Sequence, residues 1–154
     1  MNKALIAGLF LLSSNVFVVN DINAQEVEHV KGFECANELL PSIELLGRGS
    51  DFPSFVVEDV ATELKRQHSQ SNLVAIECIG EPRVEVASKP VEGNATQSVL
   101  KELSVTFPLK VDVQANNEEI SLFVDHKYHV ENMDTPTEKK VTQNFIVLNQ
   151  IKTK

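Results

Sequence analysis

Residues 104–130 read SVTFPLKVDVQANNEEISLFVDHKYHV, and the first half of that stretch alternates almost without error. Leu103, Val105, Phe107, Leu109, Val111 and Val113 are apolar, while Ser104, Thr106, Pro108, Lys110, Asp112 and Gln114 are not. A period of two over so long a run predicts a β-strand with one face on a core and one toward water. The polar break at 115–119 is short enough for a hairpin, and residues 120–131 then make the return strand. Pro108 has no N–H to give to a ladder, so it suggests an edge strand or a bulge.

Parity carries the register further, because residues opposite one another share a face. Ile120, Leu122, Val124, Tyr128 and Val130 form the apolar set of the second strand, with His126 among them. A third strand at 141–151, reached through a loop at 132–140, supplies Val141, Phe145, Val147 and Ile151. Symmetric hairpins place His126 beside Phe107 on one side and Phe145 on the other. The same register sets Phe123 opposite Leu148 on the far face, with Ile146 diagonal to them. Those three apolar groups, ringed by Lys110, Asp125 and Lys127, are a candidate partner-binding patch. The competing expectation is a second, minor core covered by residues 89–98 or by the N-terminal segment.

Upstream the pattern changes. Cys35, Ala36, Leu39, Leu40, Ile43 and Leu46 fit a helical period, interrupted at Pro41 and closed at Gly47. A second helix is expected over 54–68, with Val56, Val57, Val60, Ala61 and Leu64 as its apolar stripe. Short strands follow at 73–79 and 83–87, and Pro90, Gly93 and Asn94 mark 89–98 as a loop. Two helices and then five strands predict an α+β fold: two N-terminal helices packed on one face of an antiparallel sheet of about five strands.

The chain has 154 residues, enough for one domain after a leader. Residues 1–24 resemble a secretory signal, with Lys3, an apolar run from Ala4 to Leu12, and Ile22-Asn23-Ala24 before Gln25. Residues 25–154 are then a single small α+β domain in a periplasmic or secreted setting. There Cys35 and Cys78 are expected to form a disulfide. The closed loop would contribute about 4 kcal/mol on the chain-entropy view.

The formal charge is −8, and removal of Lys3 together with Asp21 leaves it unchanged. Such a balance repels nucleic acid and anionic lipid, so neither nucleic acid nor membrane insertion after signal removal is expected. It suits a protein partner, including a basic one.

Motifs for chemistry are sparse. His126 and His129 lie three apart on a strand and point to opposite faces, so they do not share a metal. Ser50, between a helix and a second helix, lacks the strand–turn–helix setting of a nucleophile elbow. No catalytic set, cofactor or metal is expected. The sequence therefore favours an exported, non-catalytic binding protein, such as an inhibitor, immunity or accessory factor. The alternative is a small-ligand carrier or enzyme with a pocket between helices and sheet, where His126, Tyr128 and Gln143 are the polar candidates.

Overall fold

The alternating stretch does become the centre of a sheet. The structure, a computed structural model, describes residues 27–48 and 51–153, without the side chains of Cys35 and Asn37. The expected leader at 1–24 and Ser50 lie outside the described residues. Strand β1 (His29–Lys31) leads into a 3-10 segment (Phe33–Leu39), α1 (Leu40–Glu44) and α2 (Ser54–Gln67). Then come β2 (Ser71–Cys78), β3 (Arg83–Val91), β4 (Asn94–Ala115), β5 (Glu118–Glu131) and β6 (Lys140–Lys152). The sheet order is β1-β2-β4-β5-β6, with β3 also paired to β4.

The expectation of two helices on an antiparallel sheet of about five strands is thereby corrected. Among the described residues strands make up 56%, the sheet is mixed and has six strands, and the helices are two and short. Pro41 sits in the first turn of α1, and the chain before it winds as 3-10 rather than α. A proline in the middle of the expected helix removes a donor and crowds the preceding turn, so one long helix cannot run through it. β1 is three exposed residues that pair parallel to β2, with the helices lying between the two strands.

The largest departure is at 89–98, expected as a loop. Those residues belong to a hairpin, since β3 pairs antiparallel with β4 as far as Val91↔Asn94. Gly93, at φ +81°, supplies the left-handed residue that the tight turn needs. β4 is in consequence 22 residues long.

The hairpin geometry read from parity is largely as expected. Asn116 and Asn117 both have positive φ at the β4–β5 turn, the backbone that two-residue hairpins favour. Phe107 pairs with His126, and His126 with Phe145. Pro108, however, is on neither an edge nor a bulge. It sits where the neighbour of β4 changes: β3 pairing begins at Arg83↔Thr106 and β2 pairing ends at Cys78↔Leu109. At that gap no N–H is asked for, and the Pro108 carbonyl still accepts from the Ile79 N–H at 2.9 Å.

The core lies between the helical layer and one face of the sheet. Leu103, Val105, Phe107, Leu109, Val111 and Val113 of β4 are all buried, as are Phe55, Val56, Val60 and Leu64 of α2. Burial of each such large side chain stabilises by about 1.5–3 kcal/mol. A row of rings crosses this layer. Phe52 lies 5.9 Å from Phe107, Phe107 6.1 Å from Tyr128, and His126 6.0 Å from Phe145, mostly edge to face.

Candidate functional site

Two groups of residues were candidates, and the sheet separates them onto its two faces. On the core face, His126 and Tyr128 are fully buried. The Tyr128 hydroxyl donates to Asp59 Oδ2 at 2.8 Å, and Arg48 pairs with Asp59 Oδ1. Asp59 was not foreseen, although Val56, Asp59, Val60, Glu63 and Leu64 share a helical face by spacing. A carboxylate on that stripe needs partners, and Arg48 and Tyr128 are those partners. Burial, then the Asp59 charge and its hydrogen bond, push the Tyr128 hydroxyl pKa well above the ordinary phenol range.

His126 packs against Tyr128 with ring centroids 4.7 Å apart, and neither ring nitrogen has a hydrogen-bond partner among the described residues. Burial lowers its pKa to about 4, opposed by the Asp59 and Glu63 carboxylates and reinforced by Arg48. Gln143, the third expected pocket residue, pairs with Tyr128 on β6 and is partly exposed. The three are thus neighbours, but side chains fill the space around His126 and Tyr128. A cleft of about 210 Å³ lies elsewhere, lined by Val30, Lys31, Gly32, Phe33, Glu34, Phe52 and Pro53.

The far face is polar and internally paired. Arg83 bonds Asp125 at 2.8 Å, Lys127 approaches Glu85 at 3.4 Å, and Lys110 approaches Asp112 at 3.4 Å. The three charges expected to rim the patch, Lys110, Asp125 and Lys127, therefore each have a partner within the chain. Ser104 and His129 form an unforeseen pair, Oγ to Nδ1 at 2.7 Å, with Glu131 3.6 Å from Nε2. The trio does not assemble a hydrolytic site. Ser104 is nearly buried on a flat sheet, and the surrounding N–H groups are committed to the ladder rather than to an oxyanion.

The three apolar residues expected among these polar groups are arranged differently from the parity reading. Ile146 is 43% exposed and Leu148 63%, while Phe123 is half-buried. Phe123 pairs with Asn149 rather than Leu148, because a bulge between Phe123 and Val124 inserts Leu148 as an extra residue on β6. Lys110 is the neighbour of Phe123 on β4, and Asp125 that of Ile146.

His126 and His129 point to opposite faces, and no group of three His, Cys, Asp or Glu among the described residues could hold a metal ion. No helix among them is long and apolar enough to cross a membrane. Cys78 is buried with Sγ 3.2 Å from the Gly80 carbonyl oxygen, and no disulfide is observed among the described residues. No protein-family model, curated protein or solved structure matches the chain.

Proposed function

We propose that the chain is an exported, periplasmic or secreted, non-catalytic binding protein of the inhibitor, immunity or accessory kind. Its contact surface is the far face of β5 and β6, centred on Phe123, Ile146 and Leu148. One observation carries this reading: exposed Ile146 and Leu148 flank the bulge opposite half-buried Phe123, next to the Arg83–Asp125 and Lys127–Glu85 pairs. Apolar centres with polar rims are the usual anatomy of protein contact sites. The carrier or enzyme alternative has less support, because side chains pack tightly around His126 and Tyr128.

Export rests on the signal-like residues 1–24, and the Cys35–Cys78 bridge belongs to the same proposal. The backbone favours that bridge. Lys31 pairs with Glu77, and a Cβ on Gly32 would strike the Cys78 carbonyl oxygen, so the chain enters the 3-10 segment against Cys78.

The test is capture from an exported-protein fraction by the immobilised chain, compared with Phe123→Ser combined with Leu148→Asn. The double variant should lose the captured partner and melt within a few degrees of the parent. Retained capture, or a collapse in melting temperature, would remove the patch from consideration.

A further inference from the structure

Among the described residues the sheet has three free borders, and two of them are protected. β1 is only three residues long, and β3 carries Arg83, Glu85, Lys89 and Pro90. Short length, charge and proline are the devices by which edge strands avoid unwanted pairing. From Val141 to Ile151 β6 has one such device, the bulge at Leu148: the run VTQNFIVLNQI holds no charge, proline or glycine. Val141, Ile146, Val147, Leu148 and Ile151 are all exposed along it. β6 ends the strand order, paired with β5 alone among the described residues.

Ladder alternation fixes which groups face outward. The Pro108 carbonyl bonds Ile79 on the β2 side, so Pro108 faces away from β5. Asp125 and Ile146 then bond each other, which leaves the N–H and C=O of Val141, Gln143, Phe145 and Val147 on the open side. Gln67 Nε2 lies 3.5 Å from the Phe145 carbonyl oxygen, in keeping with that direction.

We propose that this edge is completed by a second copy of the chain, its β6 added antiparallel about a two-fold axis at Asn144. In that register Val141 meets the second copy's Val147, Gln143 meets Phe145, Thr142 meets Ile146, and Asn144 meets Asn144. The four outward residues of each copy pair across the axis, giving roughly eight main-chain hydrogen bonds once Gln67 Nε2 yields the Phe145 carbonyl oxygen. The bulge at Leu148 ends the regular stretch, so pairing stops at Val147. The edge is self-complementary where the chain as a whole, at −8, repels itself. Lys140 and Lys152 flank the uncharged run, and Lys152 pairs with Glu118 of β5 at 2.7 Å. This pairing uses the backbone edge rather than the far-face patch, and so goes beyond the binding function proposed above.

Sedimentation equilibrium of the purified chain is the test. The parent should be a reversible dimer. Gln143→Pro deletes an outward N–H that the sheet does not use, and should weaken the dimer about tenfold or more without lowering the monomer's melting temperature. Asn144→Lys and Asn144→Glu should each weaken it through like charges at the axis, and their mixture should associate more tightly than either alone. Phe123→Ser with Leu148→Asn should leave dimerisation intact, which separates this proposal from the patch. A parent that stays monomeric up to roughly 100 µM would overturn it. So would a dimer indifferent to Gln143→Pro, or a mixture no tighter than its parts.

Discussion

His126 makes the stability of this fold dependent on pH in a direction and over a range that can be worked out. The imidazole lies between Phe107 and Phe145, packs on Tyr128, and has no partner for either nitrogen among the described residues. Burial lowers its folded pKa to about 4, against about 6.5 in the unfolded chain. The unfolded state therefore takes up a proton first as pH falls. Stability is whole above pH 6.5, declines between 6.5 and 4, and levels off once both states are protonated. The loss reaches about 2 kcal/mol at pH 5 and about 3 kcal/mol below pH 4. Urea unfolding at pH 7 and pH 5, where most carboxylates stay ionised, measures this directly. His126→Leu removes the titrating group, so its loss between the two pH values should shrink by about 2 kcal/mol. Parallel losses in parent and variant, or an NMR titration of His126 near 6.5, would refute the reasoning.

Other outcomes follow from the same packing. Tyr128→Phe strips one hydrogen bond from a buried carboxylate and should cost about 1–3 kcal/mol by urea unfolding. Asp59→Ala leaves Arg48 and Tyr128 without their shared partner and should cost more, roughly 3–5 kcal/mol, with a double-mutant cycle showing strong coupling to Tyr128. Gly32→Ala, at φ +78° with its Cβ driven into Cys78, should destabilise far more than Gly93→Ala, where space is open and only the positive φ at +81° is at stake. Thiol labelling of the denatured, unreduced protein should find Cys35 and Cys78 blocked, and two labelled thiols would end the disulfide proposal.

What the sequence made legible was whatever one wet and one dry face impose. The strict alternation over 103–113 gave β4 its face, and parity carried the pairing through Phe107, His126 and Phe145. The misses share a cause, which is that no such contrast was present. β1 is exposed throughout, so it has no period to read. The β3–β4 arm is wet on both faces, and its Pro90 and Gly93 resemble loop punctuation. Pro108 looked like an edge because the change of neighbour from β3 to β2 is a property of the whole sheet. The bulge at Leu148 has no local signature, and it displaced Leu148 from Phe123 while sparing the residues before it. At the candidate site, Asp59 was findable from its spacing between Val56 and Val60, and Ser104 opposite His129 follows from the same parity that sets Phe107 opposite His126.

The long β4 also divides the molecule into parts of unequal permanence. β5 begins to pair with it only at Leu103, so among the described strands residues 94–102 pair with β3 alone. Most residues of that arm are exposed and none is buried, and the Lys101 carbonyl accepts one further bond, from the Met133 N–H at 2.9 Å. An isolated two-stranded ribbon is marginal in water. The tip should therefore open and close many times during the life of one folded molecule, trading its amide protons with solvent while those of 103–115 stay protected. A protease offered the native protein would cut first near Gly93 and leave the rest of the sheet standing.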